Sequence, residues 1–245
     1  MTNDDETVRI AMWSGPRNLS TAMMRSFGAR PDCGVWDEPF YAAYLATNGL
    51  DHPMRAEVLA AHETDADVVA RACAGPAPGG APLFYQKHMT HHMLDGFDLS
   101  WMRSVRSAFL IRDPALVAAS YEVKREEPTL ADIGVERQAE LFEREADRLG
   151  HAPPVVDSAR ITKAPAEALA ALCGALGIAF DPAMLSWPAG RRPEDGVWGA
   201  HWYGAVETST GFSPPRRSAP LMTDHAKRLA ERAAPFYNRI AVHAL

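Results

Sequence analysis

A short apolar strand, a tight turn and a helix follow one another near the N-terminus, and this order limits the folds that the chain can adopt. Residues 8–13 are almost all apolar, which is typical of a strand buried in a parallel sheet. Residues 14–18 (SGPRN) form a turn, and Leu19, Met23 and Phe27 then recur at helical spacing. Units of this kind build a parallel sheet that is covered by helices.

The same alternation continues along the chain. Further strands are predicted at 34–36, 83–88, 107–111 and 155–156, and a loosely helical region is predicted up to residue 73. Helices are predicted at 114–124, 132–149, 164–176 and 223–244. Strands alternating with helices favour the α/β class, with a central, mainly parallel sheet between two helical layers.

Length and composition predict a single domain over residues 1–245. The 245 residues are 47% hydrophobic and 23% charged, which is a globular composition of ordinary size for one α/β domain. Residues 187–220 break the rhythm, because they are rich in Gly, Pro, Trp and Arg. A loop of that length is usually functional or disordered, and its aromatic residues argue for order, so we expect an ordered lid or loop segment.

Charge and cysteine content exclude several classes of protein. A net charge of −6 argues against binding of nucleic acid, which needs a basic surface. The acidic residues 1–6 do not resemble a signal peptide, and the apolar run 168–180 is too short to span a membrane. Cys33, Cys73 and Cys173 show no metal or disulfide spacing, so we expect reduced thiols and a cytoplasmic protein.

The loop after the first strand is a candidate phosphate site. In a parallel α/β sheet, ligands bind beyond the carboxyl ends of the strands, where the N–H groups of a helix N-terminus attract anions. Arg17 adds positive charge, and Ser20 and Thr21 add hydroxyl donors. The alternative is a capped turn with a surface arginine. The Gly-Lys-Ser/Thr ending of a Walker A loop is missing, which argues against an ordinary ATPase or GTPase.

A second constellation begins where the fourth strand ends. Arg112 leaves that strand, and Ser120 follows eight residues later on the next helix. Both side chains could reach one anion beside this helix. Taken alone, the spacing favours the alternative of a surface arginine and a helical serine.

Together these two segments resemble the sulfotransferase family. Residues 16–21 (PRNLST) are similar to its 5′-phosphosulfate loop, usually Pro-Lys/Arg-Ser-Gly-Thr-Thr, and residues 112–120 are similar to its 3′-phosphate motif. The resemblance implies a P-loop NTPase-like three-layer sandwich that uses 3′-phosphoadenosine 5′-phosphosulfate (PAPS) as sulfuryl donor and needs no metal. The donor-binding residues that it implies are Gly15, Pro16, Arg17, Asn18, Leu19, Ser20, Thr21, Arg112 and Ser120.

The third predicted strand carries a further similarity. Cytosolic members of the family have Lys-X-His at a strand end, where the histidine is the base for the acceptor hydroxyl. Here His88 matches the histidine, Gln86 replaces the lysine, and Lys87 is displaced by one position, so its side chain points to the opposite face. The alternatives are a histidine that only lines the pocket, or a metal site with His91 and His92, although no carboxylate or cysteine accompanies them at a recognisable spacing.

A fourth segment, residues 191–198 (RRPEDGVW), resembles the family's C-terminal Arg-Lys-Gly-X-X-Gly-Asp-Trp motif, which closes over the nucleotide. Arg191, Arg192, Gly196 and Trp198 fall in register with it, which implies that they bind the donor. Pro193 and Val197 depart from the motif, and the alternative is an irregular loop with surface arginines.

The resemblance implies transfer of a sulfuryl group from PAPS to a hydroxyl or amine of a small-molecule acceptor, with release of 3′-phosphoadenosine 5′-phosphate (PAP). Arg17 and His88 are then the predicted catalytic residues. Predicted acceptor contacts are Glu38, Tyr41, Lys87 and Tyr121. Two alternatives stay open, a non-catalytic nucleotide-binding protein and a P-loop phosphotransferase (kinase).

Overall fold

The core of the protein is a five-stranded parallel sheet. The structure, a computed structural model, describes residues 7–122, 127–214 and 221–245. The strands run in the order β2-β3-β1-β4-β5, and every neighbouring pair is parallel. They are β1 (Val8–Ser14), β2 (Cys33–Asp37), β3 (Leu83–Met89), β4 (Arg106–Ile111) and β5 (Val155–Asp157). The predicted α/β class with a parallel sheet is confirmed.

Helices connect the strands and cover both faces of the sheet. They are α1 (Ser20–Gly28), α2 (Tyr41–Asn48), α3 (Arg55–Ala61), α4 (Ala66–Cys73), α5 (Pro114–Glu122), α6 (Leu130–Ile133), α7 (Val135–Leu149), α8 (Ser158–Lys163), α9 (Pro165–Ala175), α10 (Gly199–Trp202), α11 (Gly204–Glu207) and α12 (Asp224–Ala241). The loosely helical region expected before residue 73 is thus three separate helices, and α2 ends at Gly49, whose φ of 63° is left-handed.

The alternation of side chains along β1 separates two hydrophobic cores. Ile10 and Met12 point to the layer that contains α1 and α9. Ala11 and Trp13 point to the opposite layer, which contains α7. Because both faces are covered, β3 and most of β1 are buried throughout, as expected for the centre of a three-layer sandwich.

The start of α5 follows from its sequence. Pro114 takes the first helical position, where its missing N–H is not needed, and the Asp113 carboxylate accepts a hydrogen bond of 2.8 Å from the Ala115 N–H. This local geometry fixes the path of the chain from Arg112 at the end of β4 to Ser120 on α5. The last two residues of the helix predicted at 114–124 lie outside the described residues.

The segment that departs from strand–helix alternation folds back on itself. Ser186 and Gly211 form an antiparallel bridge, and the Trp187 ring packs edge-on against Phe212 with 5.1 Å between ring centroids. Between them lie α10 and α11. Of the predicted lid 187–220, residues 215–220 lie outside the described residues. In the parts of the chain that the structure describes, no helix has both the length and the apolar character needed to cross a membrane.

Candidate functional site

A cavity of about 310 Å³ opens at the carboxyl edge of the sheet, where the loops after β1 to β4 meet. Its volume is at the lower end of the range for small-molecule sites. Most residues predicted for the site line it: Pro16, Arg17, Asn18, Leu19, Ser20, Thr21, Glu38, Tyr41, Lys87, Arg112, Ser120 and Tyr121. Residues 187–214, named the C-terminal segment, complete the wall with Trp202, Tyr203 and Phe212 among others.

The loop between β1 and α1 is tightly wound. Arg17 (φ 60°) and Leu19 (φ 58°) both adopt left-handed backbone conformations, which cost energy for residues other than glycine. A Cβ atom on Gly15 would lie 2.4 Å from the Ile133 carbonyl oxygen, so this position requires glycine. The Asn18 side chain fixes the loop by donating a hydrogen bond of 2.7 Å to the Leu110 carbonyl in β4.

Helix α1 begins at Ser20 directly beyond this loop. Leu19 precedes it and gives no side-chain cap, so the N–H groups of the first turn face the cavity edge without that usual partner. These groups and the helix dipole give this end of the cavity a positive potential.

The two predicted phosphate motifs come together at this end. The Arg17 Nε donates a hydrogen bond of 3.0 Å to the Ser120 Oγ, and the Arg112 guanidinium donates one to the Arg17 carbonyl. Two guanidinium groups, a hydroxyl and a helix N-terminus therefore share one wall. Among the described residues that line the cavity, Glu38 is the only one with a carboxylate. This wall, formed by residues of the loop 15–21 together with Arg112 and Ser120, is named the donor end after the donor-binding residues predicted there.

A buried polar cluster of Asp37, Glu38, Lys87 and Tyr203 forms another part of the wall. It is named the acceptor end after Glu38 and Lys87, the acceptor contacts predicted there. The Lys87 Nζ donates hydrogen bonds to the Asp37 Oδ1 (2.9 Å), the Tyr203 oxygen (2.8 Å) and the Glu38 carboxylate. The Tyr203 hydroxyl lies 2.7 Å from the Asp37 Oδ2, which also accepts a hydrogen bond of 3.1 Å from the Gly196 N–H. A lysine has three N–H donors, so all of those on Lys87 are used within the cluster.

The electrostatics of the acceptor end set Glu38 apart. Burial raises the pKa of the Glu38 carboxyl, and the nearby Asp37 charge raises it further, while Lys87 opposes both effects. Burial alone would lower the pKa of Lys87, but Asp37 and Glu38 outweigh it and the pKa is raised. Lys87 is therefore a permanent cation. The side chain of Glu38 is 11% exposed and borders the cavity, so it can exchange a proton with a ligand.

Aromatic side chains and histidines beside Glu38 were largely missed by the sequence analysis. The His92 ring stacks on Tyr41 with 4.6 Å between centroids and 3° between planes, and its Nδ1 lies 3.9 Å from the Glu38 Oε2. Burial lowers the pKa of His92 well below its usual value, so the ring is neutral. His91 and His92 directly follow β3, and that position at a carboxyl strand end was the available signal.

His88 does not reach the cavity. Its side chain is on the opposite face of β3 from Lys87, is 2% exposed, and stacks on Trp13 with 4.5 Å between centroids. Its Nε2 faces the Gln86 Oε1 at 3.1 Å, and burial lowers the pKa of His88 to about 3. The geometry corrects the expectation that His88 borders the acceptor, because the alternation of the strand turns Lys87, rather than His88, toward the cavity.

The C-terminal motif also lies differently from the expectation. Arg191, Arg192, Gly196 and Trp198 do not line the cavity. Trp198 is fully buried, and a Cβ atom on Gly196 would lie 2.1 Å from its ring, so the register of these two residues serves packing. Gly15 lies beneath the loop and borders a separate cavity of about 20 Å³.

Comparisons with known proteins bear on the whole chain. A family model described as a sulfotransferase domain matches residues 8–244. The branched-chain-amino-acid aminotransferase-like proteins 1 and 2 of Arabidopsis thaliana are 36% and 33% identical over 234 residues. These matches cover 96% of this chain but only 42% and 41% of those proteins, so the chain spans less than half the length of these curated relatives.

A solved structure supports the fold. A sulfotransferase from Alicyclobacillus acidocaldarius superposes with a TM-score of 0.53 at 14% identity, and the match covers 96% of this chain and 95% of that one. At this identity the likeness applies to the fold alone.

Proposed function

The chain belongs to the sulfotransferase domain family, and we propose that it transfers a sulfuryl group from PAPS to a hydroxyl or amine of a small-molecule acceptor. The observation that carries the proposal is the pairing of Arg17 on the first loop with Ser120 on α5, 3.0 Å apart, at the donor end of the cavity. This pairing brings both predicted phosphate motifs to one wall.

The residues at the donor end fit the chemistry of PAPS. The loop N–H groups, Ser20 and Thr21 are hydrogen-bond donors suited to the 5′-phosphosulfate, and Arg17 supplies charge where the leaving phosphate develops it. Arg112 and Ser120 would hold the 3′-phosphate, a group that ATP lacks. A wall built of donors and cations has the polarity that a molecule with two phosphate positions requires.

We assign the role of general base to Glu38. The acceptor oxygen or nitrogen attacks sulfur, and its proton passes to the Glu38 carboxylate. The bond between sulfur and the phosphate oxygen breaks, and its electron pair stays on the phosphate of PAP. A carboxylate whose pKa is raised by burial is a stronger base than a solvated one, which suits this step.

Lys87 holds that carboxylate in place. Since its three N–H donors are used by Asp37, Glu38 and Tyr203, it contributes by orienting Glu38 and balancing its charge. At the donor end, the Arg17 guanidinium donates a hydrogen bond to Ser120, and the Arg112 guanidinium donates one to the Arg17 carbonyl. Each end of the cavity thus has its own cation.

Calorimetric titration with PAP, beside ATP with magnesium, tests the proposal. We expect tight binding of PAP and none of ATP, followed by sulfuryl transfer from labelled PAPS to members of an acceptor panel. A preference for ATP would support the phosphotransferase alternative. Binding of PAP without transfer to any acceptor would support the non-catalytic one, and binding of neither nucleotide would contradict the proposal.

A further inference from the structure

We propose that Tyr203 is a positioning residue, which joins the C-terminal segment to the general base Glu38 through the Asp37–Lys87 pair. The inference rests on the role of Glu38 proposed above. Tyr203 is 165 positions away from Glu38 in the sequence, yet the two side chains lie 3.5 Å apart.

The Tyr203 hydroxyl is at the centre of the acceptor end. It accepts hydrogen bonds from the Lys87 Nζ at 2.8 Å and from the Trp198 Nε1 at 3.0 Å, and it donates its proton to Asp37, whose Oδ2 is 2.7 Å away. A tyrosine hydroxyl has one donor and two acceptor positions, so all three are used. Tyr203 is 5% exposed, so these hydrogen bonds are made largely away from bulk solvent.

Two further contacts fix the segment that carries Tyr203. The Gly196 N–H donates to the Asp37 Oδ2 at 3.1 Å. The Asp195 carboxylate forms a buried ion pair of 2.6 Å with Arg25 on α1, the helix whose N-terminus is at the donor end. The segment is therefore held both to the last turn of α1 and to the acceptor end, and Tyr203 is its contact with the base.

The direction of the effect on Glu38 follows from the groups that face it, which are Asp37, Tyr41, Lys87, His92 and Tyr203. Burial and the Asp37 charge raise the pKa of Glu38, whereas Lys87 lowers it through its charge and its hydrogen bond. The O–H that Tyr203 donates to Asp37 offsets part of the Asp37 charge that acts on Glu38, and the Tyr203 oxygen orients Lys87. Loss of this hydroxyl therefore disfavours the ionised form of Glu38.

The test is Tyr203→Phe, which keeps the ring and removes only the hydroxyl. We expect kcat to fall about tenfold, because hydrogen bonds to charged groups are lost, with the KM for PAPS unchanged. We also expect the acid limb of the kcat–pH profile to move to higher pH. A purely structural role would leave the position of that limb unchanged.

Tyr85→Phe is the matched control. Tyr85 is buried on the same face of β3 as Lys87, and its hydroxyl meets no hydrogen-bond partner among the described residues. We expect this variant to keep the wild-type kcat and pH profile. An equal loss in both variants, or an unmoved acid limb in Tyr203→Phe, would overturn the inference.

A second readout does not need turnover. The Glu38 carboxyl can be titrated by 13C NMR in the presence of PAP, and its signal is assigned as the one missing from Glu38→Gln. We expect a higher pKa of Glu38 in Tyr203→Phe than in the wild type and in Tyr85→Phe. An unchanged titration overturns the inference even where the enzyme is active. Failure of the wild type to bind PAP would instead contradict the proposed function. If Tyr203→Phe does not fold, Trp198→Phe is the second variant, because it removes a hydrogen-bond donor to the same Tyr203 oxygen. An unchanged pKa of Glu38 in that variant overturns the inference.

Discussion

The two ends of the cavity are built in different ways. The donor end comes from two continuous stretches, residues 15–21 and 112–120, and it presents guanidiniums, hydroxyls and backbone N–H groups. The acceptor end is assembled from the end of β2, the middle of β3 and the C-terminal segment, and it is a buried network around two carboxylates. One end presents positive charge to a ligand, and the other presents a carboxylate.

Because the two ends are built separately, one cavity can hold opposite charges without pairing them. If Arg17 or Arg112 paired with Glu38, the anion site and the base would neutralise each other. Instead Lys87 pairs with Glu38 and Asp37, while Arg17 bonds Ser120. We therefore expect the ends to be separable by mutation, with turnover governed by one and donor affinity by the other.

The largest expected effect is that of Glu38→Gln. Loss of a general base typically lowers kcat by a factor on the order of 10²–10⁴. The affinity for PAP should be unchanged, because Glu38 does not belong to the donor end. Labelled-PAPS assays at saturating donor, together with calorimetry, measure the two quantities.

Glu167→Gln is the matched control for this variant, because Glu167 is exposed on α9 and does not line the cavity. It should leave both kcat and PAP affinity at wild-type values. If Glu38→Gln weakened PAP binding as much as turnover, the two ends would not be independent. If it retained turnover, Glu38 would not be the base.

The next effect in size is that of Arg112→Ala on donor affinity. Removing a charged hydrogen-bond donor should weaken PAP binding by about 10- to 100-fold. Binding of adenosine 5′-phosphate, which has no 3′-phosphate, should change much less. Calorimetry with both nucleotides gives the ratio that matters.

Arg103→Ala is the control for a loss of positive charge, because Arg103 is exposed and does not line the cavity. Equal weakening of both nucleotides by Arg112→Ala would mean that Arg112 supports the loop through the Arg17 carbonyl rather than the 3′-phosphate. A large effect of Arg103→Ala would point to general electrostatics.

The same contrast explains what could be predicted from sequence. Each half of the donor end is a local motif after a strand, so the order of elements predicted that both lie at the carboxyl edge of the sheet. The resemblance to the sulfotransferase family then predicted that Arg17, Arg112 and Ser120 bind one ligand, and the hydrogen bond between Arg17 and Ser120 joins the two motifs. The left-handed Leu19 was not foreseeable, because a glycine is usual for that conformation.

The acceptor end was much harder to predict. Every residue of β3 is buried, so the usual polar–apolar alternation could not indicate which face of the strand meets the cavity. His88, which was predicted as the base, therefore lies away from the cavity, whereas Lys87 lines it. Tyr203 comes from a segment without periodicity, and Gly196 and Trp198 kept the register of a motif for reasons of packing.

The smallest expected effect is that of His88 on stability. This residue belongs to neither end of the cavity, so the effect should not extend to turnover. Its pKa of about 3 lies below the value of 6.5 in the unfolded chain, so the unfolded state takes up a proton first as the pH falls. The contribution of neutral His88 is complete above about pH 6.5 and decreases toward pH 3. Loss of this contribution should lower the unfolding free energy by about 1–2 kcal/mol as the pH falls from 7 to 5.

His88→Leu, which keeps an apolar side chain between Trp13 and Trp101, should flatten that part of the stability–pH curve and leave kcat unchanged. Urea unfolding at several pH values measures the slope, and His92 contributes equally to both proteins. Loss of turnover in a folded His88→Leu protein would make His88 the base after all. It would also mean that the acceptor reaches the opposite face of β3, which would remove the distinction between the two ends.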